Sequence, residues 1–184
     1  MEKIKLDDFL KLERHTLEGK VFCFPTDTVY GLSALYGDCV GISKIFQIKH
    51  RSPIKPLANL CSNINQIIAL GIEISPLARK LMEKYWPGPL TLILKGLEDK
   101  ISFRMPDSPI ALKILDKFSV LPTTSVNESG EAELNFISDI EKKFKYKIDY
   151  LITDSSSFSG LPSTVVDLSE DKIKVLRQGA IYLE

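Results

Sequence analysis

The stretch FPTDTVYGL, residues Phe24–Leu32, is the most informative part of the chain. It completes a short apolar run, Val21–Phe24, that predicts a buried strand. The strand leads into three short polar side chains, Thr26, Asp27 and Thr28. Because ligands of open α/β sheets bind beyond the carboxyl ends of strands, the stretch predicts a small-molecule site at a sheet edge.

The composition predicts one folded domain over residues 1–184. Apolar residues make up 44% and charged residues 26% of the chain, which is ordinary for a protein with a sizeable core. Lys plus Arg and Asp plus Glu both number 24, so the formal net charge is zero. Proteins that bind nucleic acid over their whole surface are usually strongly basic, so composition disfavours that class and leaves only a local basic patch open.

The cysteines predict reduced thiols in a cytoplasmic protein. Cys23, Cys39 and Cys61 show no CxxC spacing, and with two histidines in the chain a structural zinc site is not expected. Residues 1–8 are charged and lack the apolar core of a signal peptide. No apolar run approaches the roughly 20 residues of a membrane span, so no contact with a membrane is expected.

Hydrophobic periodicity and turn residues predict a mixture of helices and strands without strict βαβ order, which is typical of an open α/β or α+β sheet. The Ser/Gly-rich stretch Asp154–Gly160 predicts a mobile loop. Helices are predicted at Leu6–Glu18, Val40–Ile48, Asn65–Leu70, Pro76–Tyr85, Ile110–Phe118 and Leu134–Phe144. Strands are predicted at Val21–Phe24, Pro56–Cys61, Leu90–Leu94, Ile101–Arg104, Val120–Thr124, Tyr150–Thr153, Thr164–Leu168 and Lys172–Leu176.

The cations Lys49 and Arg51 close the second predicted helix. Residues two apart do not share a helical face, but they can converge from a turn, where the pair would suit a phosphate or a carboxylate. The alternative is that both cations only complement the helix dipole.

Two further clusters carry polar groups at predicted strand ends. Ser125 and Asn127 follow a strand and would point to one side if it continued, as a hydrogen-bonding pair or as ordinary strand-end turn residues. Arg104 projects from a backbone that Pro106 helps to fix, as a carboxylate clamp or as one half of a surface salt bridge. Asp27 is expected to hold its loop through backbone N–H groups, with a general-base role as the lesser alternative.

Eight ordered stretches make the chain resemble a known family. They are PTDTVYGL at 25–32, the K-x-R of Lys49 and Arg51, KPL at 55–57, WPGPLT at 86–91, RMP at 104–106, the S-x-N of Ser125 and Asn127, STVVD at 163–167, and RQG at 177–179. In this order they resemble the YrdC/Sua5 family of L-threonylcarbamoyladenylate synthases over residues 8–182.

The resemblance implies a twisted, open α/β sheet flanked by helices, with a concave electropositive cavity. It also implies a nucleotidyltransferase that makes threonylcarbamoyl-AMP and pyrophosphate from L-threonine, bicarbonate or CO2, and ATP with Mg²⁺. A separate transferase complex would then modify adenosine 37 of tRNAs that read ANN codons. The chain resembles the short, single-domain YrdC form, without the extra C-terminal domain of the long Sua5 form.

The resemblance also implies residue roles. Lys49, Arg51, Ser125, Asn127 and Arg177 are similar to nucleotide-binding residues, with Lys49 and Arg51 neutralising the phosphates. The residues similar to the threonine-binding shell are Thr26, Arg104, Thr123 and Ser163. No protein ligands for a metal are implied.

The chain departs from the family pattern at Val126, where alanine is usual, and after Gly130, where the usual prolines are absent. The larger Val126 is expected to tighten the nucleotide pocket. Two other functions compete with the synthase. One is a non-catalytic RNA-binding module that uses the concave basic face, with direct contact to tRNA. The other is a relative that transfers carbamoyl groups, although such proteins are much longer chains.

Overall fold

One mixed sheet organises the molecule, in a computed structural model that describes residues 1–52, 56–154 and 159–183. Its strands are β1 (Glu2–Ile4), β2 (Phe22–Pro25), β3 (Tyr30–Ser33), β4 (Ala58–Leu60), β5 (Leu90–Lys95), β6 (Lys100–Arg104), β7 (Leu121–Ser125), β8 (Tyr150–Ile152), β9 (Thr164–Asp167) and β10 (Lys174–Arg177). Their order across the sheet is β1-β8-β2-β3-β7-β4-β6-β5-β9-β10. The predicted α/β fold with one open mixed sheet is confirmed.

The helices lie on both sides of this sheet. They are α1 (Leu6–Phe9), α2 (Cys39–Lys49), α3 (Ile64–Ile68), α4 (Pro76–Tyr85), α5 (Pro109–Phe118) and α6 (Ile137–Phe144), with a 3-10 helix at Arg14–Leu17. Helices α4 and α5 each begin with proline after a serine cap, and Ser75 and Ser108 accept hydrogen bonds from the amides of Ala78 and Ala111. Proline loses nothing at this position because its missing N–H would have no helical partner.

One face of the sheet is closed by four helices. Phe144 of α6 and Ile45 of α2 pack against one half of this face. Met82 of α4 and Ile67 of α3 pack against the other half, which includes Phe103 of β6. Strand alternation places Cys23, Leu32, Leu92 and Val166 on this closed face.

The opposite face is covered only in part. Helices α1 and α5 bury Phe22 and Phe24 of β2, with the ring of Phe9 at 5.3 Å from that of Phe22 and 5.6 Å from that of Phe118. No helix of the described residues covers the rest of this face, so β3 to β10 leave a concave surface open. The site described below lies there.

The predicted helix Leu6–Glu18 is wrong in its extent. The chain forms one α-helical turn, α1, and then a separate 3-10 turn. Tertiary contacts explain the break, because Phe9 packs against the ring of Phe118 while Arg14 donates to the Phe118 and Tyr36 carbonyls. A continuous helix is replaced by two short turns that satisfy both sets of contacts.

Two strands of the structure were not predicted from the sequence. Strands β1 and β3 were not predicted, although β3 pairs antiparallel with both β2 and β7. The helix predicted from Leu134 begins only at Ile137. Other predicted elements differ from the structure by up to two residues at an end.

Some sequence features have simple outcomes. Cys23 and Cys61 are buried free thiols, whereas Cys39 is exposed. Among the described residues, no helix is long and apolar enough to cross a membrane. The predicted loop at Asp154–Gly160 falls mainly on residues 155–158, and Lys55 of the KPL stretch lies at 53–55; both segments are outside the described residues.

The carboxylate of Asp38 offers a test of how α2 is anchored. It accepts hydrogen bonds from the amides of Val40 and Gly41 at the helix start and from Gly19 at 2.6 Å. We expect Asp38→Ala to lower the free energy of unfolding by about 1–2 kcal/mol, because three amides lose their acceptor. Urea unfolding measures this change. An unchanged midpoint would show that solvent replaces the cap without cost.

Candidate active site

A cavity of about 330 Å³ occupies the open face of the sheet. Strand register explains its lining, because paired residues on neighbouring strands point to the same face. Gly31 pairs with Ser125, Thr123 with Ala58, and Leu60 with Arg104. The predicted site residues that line this cavity are Thr26, Arg51, Arg104, Thr123, Ser125, Ser163 and Arg177.

The cavity includes the expected location of the site and extends beyond it. The sequence predicted a site beyond the carboxyl end of β2, as in doubly wound sheets. Thr26, Thr28 and Val29 follow the carboxyl end of β2 and line the cavity, which extends from there across one face of the sheet, from β3 to β10. The cavity extends onto this face because α1 and α5, the helices on this side, cover only part of it.

Lys49 lies behind the cavity wall. Its side chain is buried, and its ammonium donates to the carbonyls of Ser125 and Asn127 at 2.6 and 2.8 Å and to Asn127 Oδ1 at 2.6 Å. These three bonds match the three donors of an ammonium. Ser125 Oγ also donates to Asn127 Oδ1 at 2.8 Å. The predicted S-x-N pair and Lys49 therefore form one closed network, of which Ser125 reaches the cavity.

Arg51 reaches the cavity because the chain reverses at His50. This residue ends α2 in the left-handed conformation, with φ of 49°, and its amide and that of Arg51 bond to the carbonyls of Gln47 and Phe46. The turn separates the two cations, so that Lys49 points toward the end of β7 while Arg51 lines the cavity. Arg51 Nη2 also donates to the Pro56 carbonyl at 3.0 Å.

Burial affects the charge of Lys49. It lowers the pKa of the Lys49 ammonium to about 8, and the nearby Arg51 charge acts in the same direction, whereas Glu133 opposes it. A lysine with this pKa is still largely protonated at neutral pH and loses its charge in mildly alkaline solution. The three hydrogen bonds favour the charged form, which fits protonation at pH 7.

Arg104 is buried and is not part of a surface salt bridge. Its Nη2 donates to Asp27 Oδ1, its Nη1 to Thr28 Oγ1 at 2.8 Å, and its Nε to the Gly88 carbonyl at 3.1 Å. Among the described residues, the Asp27 carboxylate accepts a hydrogen bond from the Arg104 side chain and none from a backbone amide, so it holds its loop there through Arg104. A guanidinium has five N–H donors, so two remain on the Arg104 side chain that lines the cavity.

Thr26 shapes the turn between β2 and β3. Its hydroxyl donates to the Val29 carbonyl at 2.6 Å and accepts from the amides of Thr28 and Val29. The next strand then passes close to β7, because a Cβ added at Gly31 would lie 2.8 Å from Thr123 Cγ2. A side chain at position 31 would thus require the Thr123 side chain to move.

Ser163 and Arg177 meet at the far end of the cavity. Arg177 donates from Nε and Nη2 to the Ser163 carbonyl, at 3.1 and 2.9 Å, and Nη2 lies 3.1 Å from Ser163 Oγ. Ser163 Oγ also bonds to Thr91 Oγ1 at 2.8 Å. Gly179 is required beside them, since a Cβ there would lie 2.5 Å from the Ser163 carbonyl carbon.

A bulge in β10 directs Arg177 into the cavity. Val175 pairs with Val166, which faces the closed side of the sheet, whereas Arg177 pairs with Val165, which lines the cavity. Residues two apart on a regular strand point to the same face, so the extra residue Leu176 reverses the direction of Arg177.

The sequence interpretation missed several residues of this cavity. Thr28 and Thr91 line it, and both lie in stretches that carried the family resemblance, so the signal was present but was not assigned. Glu133 also lines the cavity, and no motif pointed to it. Val126 was expected to tighten the nucleotide pocket, but it is buried among Leu57 and other core residues on the closed face.

A second, larger concavity of about 680 Å³ lies away from these residues, between α2 and the segment that precedes β8. Its lysines already have partners: Lys44 bonds to the Gly19 carbonyl, while Lys20 and Lys147 pair with Asp149 and Glu128. None of the predicted site residues lines it, so the smaller cavity is the candidate active site. Among the described residues, no group of three or more His, Cys, Asp and Glu side chains is arranged to hold a metal ion.

The buried pair of Asp27 and Arg104 provides a stability test. We expect Asp27→Asn to lower the free energy of unfolding by roughly 2–4 kcal/mol, because it leaves a buried guanidinium without a counter-charge. Chemical denaturation at pH 7 measures the change. Asp8→Asn is the matched control, since Asp8 pairs with Lys11 on the exposed surface and its replacement should leave the free energy of unfolding nearly unchanged. Equal effects of both variants would contradict a structural role for the buried pair.

Comparisons with known proteins agree with this architecture. The Sua5/YciO/YrdC family model, whose description reads "Telomere recombination", matches residues 15–179. A Methanocaldococcus jannaschii protein that is named provisionally as a threonylcarbamoyl-AMP synthase is 35% identical over all of this chain and 90% of its own length. The threonylcarbamoyl-AMP synthase of Pyrococcus abyssi is 35% identical over 91% of this chain and 52% of its own length.

A solved structure extends the likeness to three dimensions. The crystal structure of P. abyssi Sua5 complexed with L-threonine superposes with a TM-score of 0.85 at 32% identity, over 97% of this chain and 56% of that one. The chain thus spans about half the length of the P. abyssi synthase and of the P. abyssi Sua5 structure, and most of the M. jannaschii protein. Sequence and fold agree over nearly the whole chain, which belongs to the Sua5/YciO/YrdC family.

Proposed function

We propose that this protein is an L-threonylcarbamoyladenylate synthase, which forms threonylcarbamoyl-AMP and pyrophosphate from L-threonine, CO2 or bicarbonate, and ATP. The observation that carries the proposal is the open-face cavity, in which residues from separate segments bring arginines and hydroxyls together. Support comes from relatives named threonylcarbamoyl-AMP synthase and from the P. abyssi relative that was crystallised with L-threonine. The product would serve threonylcarbamoylation of adenosine 37 in tRNA by a separate transferase complex in the cytoplasm.

The proposed threonine subsite lies around Arg104. Its two remaining N–H donors suit the carboxylate of an amino acid, and Asp27 and Gly88 hold the guanidinium in place. Thr123, Ser163 and Thr26 supply hydroxyl groups nearby. Each hydroxyl also bonds within the protein, Thr26 to the Val29 carbonyl, Thr123 to the Leu121 carbonyl and Ser163 to Thr91 Oγ1. A fixed guanidinium and short hydroxyls favour a small polar amino acid over a large apolar one.

The proposed nucleotide subsite uses Arg51, Arg177 and Ser125, with Asn127 and Lys49 behind them. Arg51 and Arg177 would contact phosphates directly. All three donors of Lys49 go to protein oxygens, so we propose that it contributes charge and holds Ser125 and Asn127 in position. ATP would enter as its Mg²⁺ complex, because carboxylates are scarce among the described lining residues and the triphosphate can supply ligands itself.

The proposed reaction needs little acid–base chemistry from the protein. The threonine amine attacks CO2 and releases a proton to solvent, which gives a carbamate. A carbamate oxygen then attacks the α-phosphorus of ATP, and pyrophosphate leaves as the P–O bond to it breaks. The contact of Arg177 with Ser163 would make the two subsites adjoin where these groups meet. Positioning and charge neutralisation would then supply most of the rate enhancement.

Pyrophosphate release by the purified protein tests the proposal. With ATP and Mg²⁺, we expect release only when L-threonine and bicarbonate are both present, together with an adenylate of the mass of threonylcarbamoyl-AMP. Arg51→Ala and Lys49→Ala should each lower the rate roughly 10²-fold or more, because each removes charge from the phosphate site.

The control for these variants is Lys80→Ala, which removes an exposed cation from α4 and should leave the rate unchanged. Thermal melts verify folding, most of all for Lys49→Ala, since it leaves three oxygens without their donor. Full activity in both site variants would refute the assigned roles. Absence of release under every condition would refute the synthase and favour RNA binding, which a salt titration with tRNA measures.

The lowered pKa of Lys49 predicts a pH dependence of ATP binding. Lys49 is charged below its pKa of about 8 and neutral above it, so affinity for ATP should fall as pH rises from 7 to 9.5. Calorimetric titration with Mg·ATP in the absence of threonine measures this without turnover. Lys49→Gln should bind weakly and equally at all pH values in this range. A wild-type affinity that does not change with pH would show that Lys49 keeps its proton.

A further inference from the structure

The carboxylate of Glu133 differs in charge from the other side chains that line the cavity, which are neutral or positively charged among the described residues. Among the described residues that line it, Glu133 is the one acidic side chain, and three arginines line it as well. Arg104 already has its counter-charge in Asp27. The two other arginines of the lining, Arg51 and Arg177, belong to the proposed phosphate site.

Glu133 interacts electrostatically with two of these cations. Its negative charge raises the pKa of Lys49 and that of Arg177, in each case against the lowering caused by burial. Among the described residues, neither Lys49 nor Arg177 has a carboxylate as a direct hydrogen-bond partner. Glu133 thus lines the cavity together with Arg177, and its charge also acts on Lys49 behind the wall, without a hydrogen bond to either cation among the described residues.

An anion that enters the cavity must share it with this carboxylate. Uncomplexed ATP carries about four negative charges at neutral pH, and its triphosphate would lie near Arg51 and Arg177, where the charge of Glu133 opposes it. The Mg²⁺ complex of ATP carries two fewer negative charges, so the same carboxylate repels it less. The cavity thereby distinguishes two forms of one nucleotide that present the same hydrogen-bonding groups.

We propose that Glu133 is a counter-ion built into the nucleotide cavity that disfavours uncomplexed ATP and makes the site select the Mg²⁺ complex. The inference rests on the proposed function, because it takes the cavity as the ATP site. Glu133 acts here through its charge on the phosphates and not as a ligand of the metal. It sets specificity for the form of the substrate and takes no part in bond formation.

Calorimetric titration at pH 7.5 tests the proposal with two probes, ATP with excess EDTA and ATP with excess Mg²⁺, both without threonine and bicarbonate. We expect Glu133→Gln to bind uncomplexed ATP roughly three- to tenfold more tightly than the wild type and to bind Mg·ATP with less than a twofold change. The gain for uncomplexed ATP should shrink at 0.5 M salt, because screening weakens the repulsion.

The matched control is Glu131→Gln, two residues away. Its side chain is half exposed, pairs with Lys143 and is not part of the cavity lining, so neither affinity should change. An equal gain in Glu131→Gln would overturn the proposal by reducing the effect to overall charge. Unchanged affinity for uncomplexed ATP in Glu133→Gln would also overturn it.

Two other results would overturn the proposal in distinguishable ways. Weaker binding of Mg·ATP by Glu133→Gln, with no gain for uncomplexed ATP, would identify Glu133 as a ligand of the metal. A folded wild type that binds neither probe would refute the nucleotide site itself, and with it the proposed function. Thermal melts of both variants establish folding before each titration.

Discussion

The buried guanidinium of Arg104 is the interaction on which the rest of the site depends. It connects the end of β6 to the β2–β3 turn through Asp27 and Thr28, and to the turn at Trp86–Pro89 through Gly88. These segments are distant in sequence, and each contributes to the cavity wall or supports it. A buried cation is costly unless it is paired and hydrogen-bonded, so the fold must bring these partners together at once. The requirement for a counter-charge thus fixes the geometry of one half of the site.

The other half of the site depends on a second buried cation, Lys49, whose direct partners are uncharged oxygens. Lys49 has carbonyl and amide oxygens in place of a carboxylate, and burial is only partly compensated, which lowers its pKa to about 8. Arg104 is thus held by a charge, whereas Lys49 itself holds a turn of uncharged groups. No direct partner among the described residues neutralises the positive charge that Lys49 keeps at neutral pH. This charge lies directly behind Ser125 and therefore still acts on the cavity.

Local sequence rules predicted the elements that local chemistry controls. Helix α4 begins and ends where Ser75-Pro76 and Trp86-Pro87 indicate, because capping and proline geometry act within a few residues. Strand β3 was missed because Gly31 interrupts its pattern and because its two partners, β2 and β7, are established only by the complete sheet. The break after α1 has the same origin, since the contacts of Phe9 and Arg14 with Phe118 span the chain.

The candidate site was predictable as a set of residue types but not as an arrangement. Seven of the nine residues named from the sequence line one cavity, and Asn127 and Lys49 lie behind it. The different directions of Lys49 and Arg51 could not be predicted from the K-x-R pattern, since they depend on the left-handed conformation of His50 at the end of α2. Glu133 had no sequence signal at all, because its place in the cavity comes from the path of the segment after β7.

Because of the bulge in β10, we expect selection to act more strongly on the number of residues in this strand than on the identity of the inserted residue. Leu176 is an exposed side chain, so many residue types can replace it with little effect on packing. Removing the position, or adding one more beside it, would instead invert the direction of every following side chain up to the turn. Substitutions at 176 should therefore accumulate freely among functional descendants of this chain, while single-residue insertions and deletions between Val175 and Arg177 should be eliminated.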